Sequence, residues 1–298
     1  MMLVSRHPAS LLTITCCILV GANVLLPSCD GLKKGHRARK SVPSTAQHVN
    51  RTLLGKRQSW TGPGPHSFDY VLGANSFYNT AADVVFVDYD MEESDIRRFL
   101  GAGKVVICYV NVGAWEDWRS DAELFPESVL GNDYDGWPGE RWLDIRNTDV
   151  ILPLMRNRYR IAAAKGCQGI DPDNMNGWSV DTGFPISYEN QLVYNRYVSA
   201  EARVLGMLAG LKNDNEQASD LIDAVDFAVL EQCAAYDECF YFDGFISSGK
   251  PVFAVEYTDS YDETSFRREV CPLVEETKMS FILKNYNLHS DYIYSCLL

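Results

Sequence analysis

The sequence predicts a (β/α)8 barrel that fills the chain after a separate N-terminal leader. Three observations carry this. About 240 residues follow Arg57, close to the ~250 typical of such barrels. They hold eight short runs rich in β-branched residues, alternating with helical patterns as parallel βα units do. Polar residues also gather where seven of those runs end, at the barrel face that carries active sites.

The leader comes first. Arg6 and His7 precede an apolar run over 11–26, the length of a signal-peptide apolar region and short for a membrane span of roughly 18 or more residues. Asn23 and Pro27-Ser28 also argue against a span, so residues 1–28 read as a signal peptide cut between Ala22 and Cys29. Residues 29–57 are polar and basic, without apolar periodicity, and read as a disordered propeptide or linker. That stretch holds the Asn50-Arg51-Thr52 sequon and ends in dibasic Lys56-Arg57. Residues 58–298 form the expected catalytic domain, secreted and free of the membrane once the signal is removed.

Within that domain the expected strands are 68–71, 84–88, 104–111, 169–173, 207–212, 227–231, 251–257 and 281–286. A helix over 91–101 has acidic residues in its first turn and glycine at its end, matching dipole and C-cap preferences. Further helices are read over 149–165, 188–205 and, shorter, 216–224. Between 114 and 148 lies a long irregular loop with Trp115, Trp118, Trp137 and Trp142; loops of that length in a compact domain are usually functional. Together with Trp60 and Trp178, these tryptophans offer flat faces for sugar rings or anchors for the loop.

Charge and cysteine usage bound the function. Nine of the 27 basic and one of the 40 acidic residues precede Gln58, leaving 18 against 39, a formal charge of −21. A surface so acidic repels nucleic acid and anionic membranes and attracts a polycation. Six cysteines remain, an even count that suits disulfides in an oxidising compartment. Cys233 with Cys239 and Cys271 with Cys296 are local pairs; Cys108 and Cys167 then pair or stay free. Two histidines in the domain leave no Ser-His-Asp arrangement. The near-P-loop from Gly244 to Lys250 fails because Pro251 replaces the magnesium-binding Ser/Thr and a strand follows.

The strand ends supply the candidate site: Asp88, Tyr109, Asp171, Asp173, Asn174, Lys212, Glu231 and Glu256. Asp88, Asp171 and Asp173 as a divalent-cation site is the lesser reading. No metal or cofactor is expected, and the preferred chemistry is a carboxylate pair acting without either, as glycosidic cleavage requires.

At these residues the sequence resembles glycoside hydrolase family 114, the endo-α-1,4-polygalactosaminidases. The matching stretches include VVFVDYD from Val84, KVVICYVNVGAWEDWR from Lys104, WPGERWLDIR from Trp137 and KGCQGIDPDNMNG from Lys165. LKNDNEQ from Leu211, FAVLEQC from Phe227 and PVFAVEY from Pro251 continue the match in order. The resemblance implies a (β/α)8-type barrel, hydrolysis of α-1,4-linked galactosamine polymers, and a secreted or cell-surface location. It places the acidic pair on Asp173 and Glu231, assigned as nucleophile and general acid/base of a retaining mechanism, or the reverse. Asp171 is expected to position Asp173, bind substrate or close its turn; Asp88, Tyr109, Asn174, Lys212 and Glu256 are expected in the cleft wall. Gln168 departs from the acidic residue common in the family, ahead of strand four and away from the catalytic face. The expected partner is a cationic galactosamine polysaccharide, preferred in its deacetylated form, and the expected state a monomer. The alternative class is a non-catalytic cell-wall or spore-coat protein that binds the polymer in the same cleft.

Overall fold

Eight strands divide their side chains between two apolar cores, and that alternation builds the barrel. The computed structural model describes residues 64–73 and 77–298; the expected leader, the sequon, Lys56-Arg57 and Trp60 lie outside the described residues. The barrel strands are β1 (Phe68–Val71), β2 (Val84–Asp88), β3 (Val105–Asn111), β4 (Gly169–Asp173), β5 (Leu208–Lys212), β6 (Phe227–Glu231), β7 (Val252–Tyr257) and β8 (Ser280–Lys284). They pair in chain order, each neighbour parallel. All eight expected strands are present. The last stops at Lys284, because Asn285 accepts the Leu288 N–H and begins a turn.

Facing inward, Phe68, Phe86, Phe227 and Phe253 meet mostly edge-on with centroids 5.1 to 6.2 Å apart and plug the barrel beneath its upper face. Gly210 makes room for them: a Cβ there would lie 2.7 Å from the Phe227 ring and 2.8 Å from the Ile170 carbonyl. Facing outward, Val85, Val106, Ile170 and Leu211 pack under helices α1 (Glu93–Gly101), α2 (Thr148–Lys165) and α3 (Tyr188–Val204). Ser187 and Asn190 form a reciprocal capping box at the start of α3, and Gly166 ends α2 in the left-handed conformation at φ 108°.

The seam between β1 and β8 closes differently. Tyr294–Ser295 pairs antiparallel with β8, and among the described residues no ladder joins β8 to β1. Side chains bridge the gap: buried Lys284 pairs with buried Asp69 at 3.1 Å, and the His66 N–H donates to Ser280 Oγ at 2.8 Å.

The long segment after β3 is not irregular. Ala114–Glu116, Leu130–Asp133 and Glu140–Leu143 form a three-stranded antiparallel sheet with the last strand in the centre, an excursion set beside the barrel mouth. Its strands are too short for their alternation to stand out in sequence. The expected 216–224 helix is cut down to Ala218–Leu221 behind a 3-10 turn. All three disulfides form, and the pair left open, Cys108–Cys167, joins β3 to the segment leading into β4. Gln168 accepts the Val106 N–H at 3.1 Å and lies outside the cleft lining. Among the described residues, no helix is long and apolar enough to cross a membrane.

Candidate active site

A cleft of about 390 Å³ opens where the strands end, lined by residues from β2 to β7, from the segment after β1, from the excursion and from the loop after β8. Its floor follows from strand alternation. Asp173, Lys212 and Glu231 are inward-facing last residues of β4, β5 and β6, so three neighbouring strands deliver two carboxylates and an ammonium to one point. Lys212 Nζ lies 3.2 Å from Asp173 Oδ1 and 3.2 Å from Glu231 Oε2. Tyr109 donates its hydroxyl to Asp173 Oδ2 at 2.9 Å, and Tyr257 donates to Glu231 Oε1. Each carboxylate thus keeps one tyrosine and shares one lysine.

Lys212 is itself buried. Burial would lower its affinity for a proton, but Asp173, Glu231 and Asp171 reverse this and hold it well above the ordinary lysine range. Its remaining reach goes down, to Tyr70 Oη at 3.1 Å, and Tyr70 donates to Asp171 Oδ2 at 2.8 Å. Asp171 therefore sits below the cleft. Burial, with Asp173 adding to it, pushes its carboxyl up to about 7.

The chain bends sharply just above the pair. Asn174, Asn213, Asp214 and Gln232 follow their strands with φ of 61°, 48°, 54° and 58°. Asn and Asp tolerate this left-handed region better than most residues. Gln232 is the costlier case, and such strain gathers at functional sites. Asn174 lines the cleft and donates to Asn111 Oδ1 at 3.1 Å, while Asn111 donates to Glu140 Oε2 at 3.1 Å.

A second charged cluster joins the excursion to the barrel. Arg119, almost fully buried, grips Asp88 with two hydrogen bonds of 2.7 and 2.8 Å, Glu116 with two of 2.8 Å, and Asp90 at 2.9 Å. Arg158 on α2 holds Asp121 through two bonds of 2.8 Å and donates to the Asn111 carbonyl at 2.8 Å. Asp88 lines the cleft, but both its oxygens are committed to Arg119.

Glu256 is a correction. It faces outward from β7 and accepts the Ala234 and Ala235 N–H groups at 2.8 and 3.3 Å, bracing the loop after Glu231 from behind; the residue presented to the cleft is Tyr257. The parity is hard to read because both faces of a parallel strand are apolar. The tryptophans divide. Trp118 and Trp137 line the cleft at 54 % and 42 % exposure, and Trp137 stacks on Tyr286 across a 5.9 Å centroid distance. Trp115 donates to the Ala122 carbonyl, Trp178 to Asp214, and Trp142 is buried against Tyr134.

Sequence reasoning passed over Tyr70, Arg119 and Glu140. The first lies one layer below the strand ends, and Arg119 and Glu140 lie in the excursion, where no strand-end pattern marks them.

No curated protein matches the chain by sequence. Among solved structures, that of Aspergillus fumigatus Ega3 in complex with galactosamine is similar at 31% identity and a TM-score of 0.73, covering 81% of this chain and 100% of that one. The glycoside hydrolase domain of PelA from Pseudomonas aeruginosa shares the fold at 14% identity and a TM-score of 0.57, covering 78% of this chain and 99% of its own. The profile of glycoside-hydrolase family GH114 matches residues 50–297. A barrel with two carboxylates at neighbouring strand ends and a match over the whole described region lead to one assignment: the chain is a glycoside hydrolase of family GH114.

Proposed function

We propose that this enzyme is a secreted, monomeric endo-hydrolase of α-1,4-linked galactosamine polymers that works through Asp173 and Glu231 with retention of configuration. The observation that carries the reading is the shared ammonium: Asp173 and Glu231 each approach Lys212 Nζ to 3.2 Å, so the two bridged oxygens lie within twice that distance. Retaining enzymes hold their carboxyls about 5–5.5 Å apart, whereas inverting ones leave roughly 6.5–9.5 Å for a water. One ammonium touching both carboxyls draws them together, which supports the closer, retaining spacing.

Asp173, held by Tyr109 and Lys212 and the less exposed of the pair, is the nucleophile. Glu231, the longer side chain, is the acid/base. Asp173 attacks the anomeric carbon while the Glu231 proton passes to the departing glycosidic oxygen. A water then gives its proton to Glu231, attacks the same carbon and frees Asp173. Lys212 offsets the pair's charge throughout, and Trp118 and Trp137 offer faces for sugar rings. The galactosamine bound to Ega3 supports an amino-sugar substrate, as does the acidity of the domain. Three disulfides and a signal peptide over 1–28 support secretion.

The test is reducing-end release from purified deacetylated galactosaminogalactan by the full secreted protein, beside Asp173→Asn and Glu231→Gln. The parent cleaves, and each variant loses roughly 10²–10⁴ in kcat while keeping the fold by circular dichroism. A folded parent that binds the polymer without cleaving it would point to the binding-protein alternative.

A further inference from the structure

The cleft holds one carboxyl group with which, among the described residues, no cation forms an ion pair. Five carboxylates line it: Asp88, Glu116, Glu140, Asp173 and Glu231. Asp88 and Glu116 are paired with Arg119, and Asp173 and Glu231 share Lys212. Among the described residues, Glu140 alone of the five has no ion pair. It is 8 % exposed, its Oε2 accepts from Asn111 at 3.1 Å, and among the described residues its Oε1 accepts no hydrogen bond. Burial, then Glu116 and Asp173, push its carboxyl up to about 8. A buried carboxyl facing a cleft without an ion-pair partner is a group whose partner is expected from outside.

We propose that Glu140 is the specificity residue that binds the free 2-ammonium group of the sugar being cleaved, so that the enzyme selects the deacetylated polymer through this one side chain. The inference rests on the galactosamine-polymer reading above and names the residue that enforces it. In a 2-amino sugar the nitrogen sits on C2, one bond from the carbon that Asp173 attacks. Its ring position is therefore set once that carbon is set, and it meets the wall around Asp173. Glu140 lies in that wall, hydrogen-bonded to Asn111, the residue that faces Asp173 in the ladder between β3 and β4. Arg119 acts on Glu140 only from a distance and is committed to Asp88, Glu116 and Asp90. An ammonium completes the free Oε1 with a charge-assisted hydrogen bond. An N-acetyl group offers no charge and adds bulk, leaving the carboxyl buried and unpaired. Asn111 fixes the carboxyl from behind and is itself held by the Ala114 N–H at 2.8 Å, so Glu140 is aimed before substrate arrives.

The test is titration calorimetry with fully deacetylated and fully N-acetylated α-1,4-galactosamine oligomers, on protein made inert by Asp173→Asn, with and without Glu140→Gln. Glutamine keeps an oxygen for the Asn111 donor, so the wall is preserved. The expected result is a loss of roughly tenfold or more in affinity for the deacetylated oligomer and less than about threefold for the acetylated one. In the active protein the same substitution raises KM for the deacetylated polymer and moves kcat little. Equal losses on both oligomers, or none on either, would overturn the assignment of Glu140 while leaving the hydrolase reading in place. A parent that binds neither oligomer would overturn both.

Discussion

Two regions meet in the cleft, and they are built on opposite principles. The floor, with Asp173, Lys212 and Glu231, rises from three consecutive strand ends whose backbones are fixed by parallel ladders on both sides. The wall, with Glu116, Arg119 and Glu140, belongs to an excursion of three short antiparallel strands that touches the barrel through buried charge as well as through Phe125, Val129 and Leu143. The floor is positioned by backbone pairing and needs its charges for chemistry. The wall is positioned by its charges as well as by that packing, because Arg119 and Arg158 tie it to Asp88 on β2, Asn111 on β3 and helix α2. Reaction type thus belongs to the scaffold and substrate choice to an insertion, the division expected of barrels that keep one framework and vary its loops.

The sharpest way to break this comparison is to remove the charge at the centre of each region. Lys212→Met leaves Asp173 and Glu231 facing each other without a cation. One of the two then holds a proton more tightly, as like charges sharing a site require. The expected outcome is a fall of about 10²–10³ in kcat with the acid limb of the pH–rate profile moved to higher pH, checked by kcat against pH. The smaller effect on catalysis is expected from Arg119→Met, which strands Asp88 and Glu116 in the interior at a cost of about 3–5 kcal/mol in stability. Limited proteolysis should then cut within 114–147 while the barrel stays resistant, and kcat should drop less than roughly tenfold. If instead Arg119→Met costs as much kcat as Lys212→Met, floor and wall form a single catalytic unit and the division fails.

The same contrast explains what could be read before the structure. The eight strands were legible because β-branched runs alternate with helical patterns, and the floor because a strand end in a barrel has a known destination. Asp173, Lys212 and Glu231 needed only the parity of their strands. Parity misled at Glu256, where Phe253 and Val255 face one core and Ala254 the other, so hydrophobicity did not distinguish the sides. Tyr70 was hidden in the middle of a short strand, with nothing local to mark its contact with Asp171 across the barrel. The wall was legible only as a tryptophan-bearing segment. The ion pairs that tie it to the rest of the molecule link residues 29 or more positions apart, as Arg119 with Asp90 and Arg158 with Asp121 do, and no local periodicity encodes such pairings.

The central claim is that Asp173 and Glu231 act across one shared lysine as nucleophile and acid/base. The measurement that tests it most directly is proton NMR of the new reducing end during the first turnovers on a deacetylated α-1,4-galactosamine oligomer. The account predicts that the α-anomer appears first and then mutarotates towards equilibrium, because two displacements at one carbon retain configuration. Initial appearance of the β-anomer would mean a single displacement by water and would contradict the assignment of Asp173 as nucleophile.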